Sequence, residues 1–198
     1  LKLVDWSYSN WDSFPGVPPD PYWGSHQPWW KTWCKFFDIQ EVFAKDRPNF
    51  FVVGNHELAE SRAKTGGLWG FPEVMMRVRM PRNERWFSFV RGPVAVVVLD
   101  SSMGPLTNRQ FLWADRMLGN YRAEGIPWLV IAEHHPIYGP RTWQRLAKQL
   151  EELTAKHDVD LFLAGHRHRY ERWERMTRGV PDPEGTLHIT SGGGGQSQ

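Results

Sequence analysis

Three short apolar runs in this chain each stop at a polar cluster. Residues 50–53, FFVV, run into Gly54-Asn55-His56-Glu57; residues 128–133, WLVIAE, into His134-His135-Pro136; residues 160–164, DLFLA, into Gly165-His166-Arg167-His168. Short apolar runs bounded by turn formers predict buried strands. Two further strands are predicted at WFSFVR and VAVVVLD, separated by Gly92-Pro93 as a hairpin-like turn, and a last one at TLHIT, 186–190. Helical spacing holds elsewhere. Trp33, Phe36, Phe37, Ile39 and Phe43 repeat in a helix that starts at Trp29 or Lys31 and ends at Ala44, before Pro48. Phe111, Ala114, Leu118 and Tyr121 share one face behind the capping-box pair Thr107 and Gln110. Leu146, Leu150 and Leu153 stand at i, i+4 and i+7 in a helix over 142–156. Buried strands alternating with amphipathic helices predict an α/β fold. The Pro-, Gly- and Trp-rich first thirty residues and the charged stretch 61–85 have no period and predict loops.

Composition narrows this picture without changing it. The 198 residues suffice for one domain with a real core. A net charge of +2 gives no case for nucleic acid as a partner. No apolar run approaches the ~18 residues of a membrane span. The lone cysteine, Cys34, excludes an internal disulfide and a thiolate zinc cage, and its place among aromatics suits a small buried hydrophobe.

The three strand ends carry the chemistry. In open α/β sheets ligands collect beyond the carboxyl ends of the strands, so neighbouring strands here would bring five of eight histidines and one asparagine to one edge. Imidazole and amide donors suit zinc, iron or manganese, and the absence of thiolates argues against a purely structural zinc. In an extended segment His166 and His168 fall on one side, ~6–7 Å apart along the chain. They are thus spaced to serve two ions lying ~3.5–4 Å apart.

In order and spacing, GNHE, HHP after a strand, and GHRHRYER resemble the motifs of calcineurin-like metallophosphoesterases, the last one most of all their purple acid phosphatase branch; WFSFVRGPVAVVVLDS and ITSGGGG extend the resemblance along nearly the whole chain. The resemblance implies a four-layer αββα β-sandwich flanked by helices and a dinuclear centre of iron with zinc, manganese or a second iron. It implies hydrolysis of small phosphate esters by metal-activated water. Asn55, His134 and His166 would ligate one ion and His168 the other; His56 would be the general acid, oriented by Glu57. His135 is placed facing substrate or behind the ligands. The resemblance leans toward a secreted or periplasmic protein.

The chain also departs from the pattern. The opening LKLVDW resembles the family's Gly-Asp motif with Leu1 and Lys2 where glycine and the bridging aspartate belong. Asp5 falls in the slot of the iron-binding tyrosine, so no tyrosinate colour is expected. Residues 1–198 are therefore read as a single domain lacking N-terminal strands and metal motifs and its C-terminal end, inactive or severely impaired as it stands. Two competing readings stay open: a phosphodiesterase or nucleotidase of the same fold, and a degenerate, non-catalytic binding module. Asp100 is assigned a turn role with Ser101 and Ser102. Arg167, Arg169, Arg172 and Arg175 are read as a solvated basic face, with Tyr170 and Glu171 locking the loop. His26, His157 and His188 are read as surface or structural, and the tryptophans from Trp6 to Trp33 as a loop packed over the sheet.

Overall fold

The structure, a computed structural model, describes residues 37–38, 40–42, 45–46, 48–55, 79–140 and 142–193. The opening motif, the tryptophan-rich entry, His26, Cys34, His56, Glu57 and most of the first predicted helix lie outside the described residues.

One mixed seven-stranded sheet organises the rest. Its strands are β1 (Phe87–Arg91), β2 (Val94–Val98), β3 (Trp128–Ala132), β4 (Leu161–Ala164), β5 (Tyr170–Thr177), β6 (Val180–Pro181) and β7 (Thr186–Ser191), in the order β1-β2-β3-β4-β7-β5-β6. β1 and β2 form the predicted hairpin, with Gly92 at φ +57°, the left-handed region glycine enters freely. β2, β3, β4 and β7 run parallel, so their carboxyl ends share one edge. Helix α1 (Asn108–Ala123) links β2 to β3, and helix α2 (Gln144–Lys156) links β3 to β4. These elements give the α/β class; they supply one sheet and one helical layer of the four implied by the resemblance.

Side-chain alternation separates the two faces of the sheet. Ala95, Val97, Leu99, Leu129, Ile131, Phe162 and Ala164 meet Ala114, Leu118 and Tyr121 of α1 and Leu146, Leu150 and Leu153 of α2 in one buried core. Val98 and Ala132 turn to the opposite face, where Val52 packs with Phe87. Residues 51–53 are buried, as the apolar run predicted, but they are not among the seven strands of this sheet; Phe51 makes an isolated bridge, and Phe50 stacks on Phe89 at 4.0 Å.

Strand β5 was not legible in the sequence. It is mostly exposed and charged, lies between β7 and the two-residue β6, and has no apolar alternation to betray it. The capping box at α1 is half formed. Thr107 Oγ1 accepts from the Gln110 N–H at 3.3 Å, but the Gln110 amide turns away to bond the backbone N–H and C=O of Asp100, at 2.7 and 3.0 Å.

Candidate metal centre

Parallel strands deliver the site because backbone pairing continues past their ends. Leu99 N–H donates to Ala132 O (2.9 Å), Glu133 N–H to Leu163 O (3.1 Å) and Gly165 N–H to His134 O (3.0 Å). The loops after β2, β3 and β4 are thereby fixed to one another. Alternation then sets direction. His134, two residues beyond Ala132, turns to the face on which Val52 packs, and Asn55 follows three residues after Val52.

Three donor atoms converge there. His134 Nε2 lies 2.8 Å from Asn55 Oδ1 and 3.1 Å from His166 Nδ1, which lies 3.1 Å from Asn55 Oδ1. An ion bound at about 2.1 Å by ligands at right angles has adjacent donors about 3 Å apart. The triangle therefore fits one face of a coordination shell, and its nitrogen and oxygen donors suit zinc, iron or manganese.

His166 holds its place at a conformational cost. Its φ is +64°, a left-handed setting that costs a non-glycine residue roughly 1–2 kcal/mol. Neighbours enforce it. A Cβ at Gly192 would lie 2.1 Å from Arg167 O, so the end of β7 presses on this turn as only glycine allows. The Arg167 guanidinium covers Gly139, ion-pairs with Glu171 at 3.0 Å and donates to Pro140 O at 2.7 Å. Arg167 is thus a clamp between two loops rather than part of a solvated face. Glu171 also takes Arg169, and so locks the loop as expected; Tyr170 is exposed and does not.

Histidine 135 occupies the helix side of the same edge. Its ring lies 4.4 Å from that of His166 and 4.5 Å from Trp143, and it joins His134 and His166 in a group whose donor atoms all lie within 4.8 Å of one another. Burial, then the nearby His166, lowers its pKa to about 3. Its Nδ1 lies 2.7 Å from Ser101 Oγ, and Ser101 also bonds the wholly buried carboxyl of Glu133. Burial pushes Glu133 up to about 8 against the Ser101 bond.

Sequence reasoning did not find Glu133 or the Ser101 contact. The available signal was a carboxylate ending an apolar strand directly before two histidines. His168 is half-buried in the same turn as His166 but stands outside the three-histidine group. Asp100 takes the turn role expected of it: its carboxylate accepts from Ser102 N–H at 2.9 Å and from Arg85 Nε at 2.5 Å. His157 is structural, bonded to Asp115 at 2.7 Å, and His188 is buried beside Phe162 and Tyr138.

Known proteins share this pattern. The family profile for calcineurin-like phosphoesterases matches residues 22–170. Purple acid phosphatase 23 of Arabidopsis thaliana is 30% identical over 195 residues, covering 92% of this chain and 40% of its own length. A phosphoenolpyruvate phosphatase of Allium cepa is 28% identical, over 85% of this chain and 39% of its own. The Fe(3+)-Zn(2+) purple acid phosphatase 12 of A. thaliana is 27% identical, over 85% and 40%. The chain thus spans about two fifths of the length of these curated relatives. A purple acid phosphatase from yellow lupin (Lupinus luteus) seeds shares the fold, with a TM-score of 0.55 at 20% identity over 73% of this chain and 29% of that one. With the profile matched over well more than half of its 198 residues, the chain belongs to the calcineurin-like phosphoesterase family, among relatives of the purple acid phosphatase branch.

Proposed function

We propose that this chain carries the metal-binding and acid-catalytic part of a phosphoesterase that hydrolyses small phosphate esters. The observation that supports this most is the Asn55–His134–His166 triangle, whose 2.8–3.1 Å edges match a set of adjacent metal ligands. Asn55, His134 and His166 hold one ion, and His168 contributes to a second. When bound, the pair supplies Lewis-acid polarisation of the phosphoryl group and lowers the pKa of water from ~15.7 toward ~7. An iron–zinc pair is favoured by the relative named as an Fe(3+)-Zn(2+) enzyme.

The chain's own residues do the rest. His56 directly follows the ligand Asn55 and donates its proton to the departing ester oxygen; Glu57 orients it. His135, beside the triangle on the helix side, contacts the phosphate. Lys2 in the bridging slot makes the second ion the more weakly held, since an ammonium repels a dication.

Metal analysis together with turnover of p-nitrophenyl phosphate and bis-p-nitrophenyl phosphate tests the reading and separates monoesterase from diesterase. Asn55→Ala and His166→Ala should each release an ion and lower turnover by roughly 10²–10⁴-fold. Unchanged metal content and turnover in both would sink the proposal. The lysine at position 2 also favours one competitor, a binding module that has lost catalysis. At most one ion per chain, with no turnover even after Lys2→Asp together with added upstream family sequence, would decide for that module.

A further inference from the structure

The reading above leaves two fully buried polar side chains of the site edge unused. Ser101 and Glu133 are both 0% exposed, and Glu133 closes an otherwise apolar strand. A carboxyl taken out of water is costly unless its oxygens are partnered, and Glu133 Oε1 has no hydrogen-bond partner among the described residues. Leucine or methionine would pack there without that penalty. Packing therefore does not explain a glutamate at this position; its bond to Ser101 does, with support from the backbone N–H groups of His134 and His135.

That bond leads to the site. The β2–β3 register pairs Val97 with Ile131; carried on by two-residue steps, it sets Leu99 level with Glu133 and Ser101 level with His135, all on the helix face. Ser101 Oγ bonds Glu133 Oε2 on one side and lies 2.7 Å from His135 Nδ1 on the other. A hydroxyl can serve two partners at once, as donor to one and acceptor from another or as acceptor from one and donor to the other. The imidazole is meanwhile flanked by the rings of Trp143 and His166. With Nδ1 engaged, Nε2 is the nitrogen left for a ligand.

We propose that Ser101 and Glu133 are positioning residues that fix the ring of His135, so that its Nε2 is aimed at a phosphoryl oxygen of the substrate. The inference rests on the phosphoesterase reading for the identity of the ligand, but not for the geometry. It distinguishes Ser101 from its neighbour Ser102, whose backbone and hydroxyl both close the turn on Asp100.

The test has two arms. In the metal-free full chain, ¹⁵N spectra of the histidine rings should show His135 held in one tautomer, and Ser101→Ala should average or shift its signals, while Ser101→Thr restores them. In the metal-loaded chain, Ser101→Ala should raise KM for p-nitrophenyl phosphate by about 10- to 100-fold, with kcat changed much less and metal content kept. Glu133→Gln, which keeps an acceptor for Ser101, should lie near wild type, and Glu133→Leu should resemble Ser101→Ala. A His135 spectrum indifferent to Ser101→Ala and to Glu133→Leu overturns the proposal, as does a KM that changes only in step with Tm. A wild-type chain without turnover counts against the phosphoesterase reading alone, because the spectra still decide the positioning.

Discussion

On its helix face the sheet meets Leu118, Leu146, Leu150 and Leu153, all fully buried, whereas among the described residues its opposite face meets Val52, Met80 and, stacked on Phe89, Phe50. The first face is a closed core from two helices. Among the described residues the second contact leads, three residues after Val52, to Asn55 of the donor triangle. The candidate site sits where the two meet, taking His134 and Asn55 from one side and Ser101, Glu133 and His135 from the other. The described helices bury their large side chains on the first face, and placement of Asn55 depends on the second.

Three changes would break or sharpen that contrast. Leu150→Ala removes a wholly buried side chain between α2 and the sheet and should cost about 2–5 kcal/mol in chemical denaturation. The residual protein should keep its metal affinity, because Asn55, His134 and His166 all lie outside α2.

Acid should act next, also on the helix face. His188 is 4% exposed, neither ring nitrogen has a hydrogen-bond partner among the described residues, and burial lowers its pKa to about 4 from 6.5. The titratable group against it is Tyr138, which burial holds up at about 12, so it stays neutral and silent in this range. The unfolded chain binds a proton at His188 before the folded one does, so stability is full above pH 6.5 and falls as the pH drops toward 4. The loss should be about 2 kcal/mol by pH 5. Denaturation midpoints between pH 7 and 5 measure it, and His188→Leu should flatten that part of the profile.

Smallest in stability is Phe50→Ala, about 1–2 kcal/mol for a half-buried ring. Its effect on metal affinity should be larger than that of Leu150→Ala, on the order of tenfold, because Asn55 loses its anchor. Equal metal affinities for the two variants would show that the faces do not divide the labour this way.

Much of this was legible in the chain before any coordinates. Periodicity located both helices of the core and five strands, because each buries a clear apolar face. Motif order brought His134 and His166 together, because strand ends in a parallel sheet share an edge; Asn55 joins them from the segment packed on the opposite face. Alternation alone could not say that residues 50–53 pack on one face of the sheet instead of joining it, since both placements bury the same apolar run. Strand β5 escaped because its partners, not its own apolar residues, hold it in place. The Ser101–Glu133 pair escaped because it depends on the β2–β3 register, a relation between segments more than thirty residues apart that neither segment records.

The left-handed backbone at His166 has a consequence for how fast, rather than how tightly, an ion is taken up. The turn is set in advance by the Gly165–His134 backbone bond, by the Arg167 clamp and by the contact with Gly192. Its nitrogen stands in the triangle without waiting for a partner to fold around. Entry of a cation then requires no rearrangement of this turn. Loosening the turn, rather than α2, should therefore be what slows metal uptake.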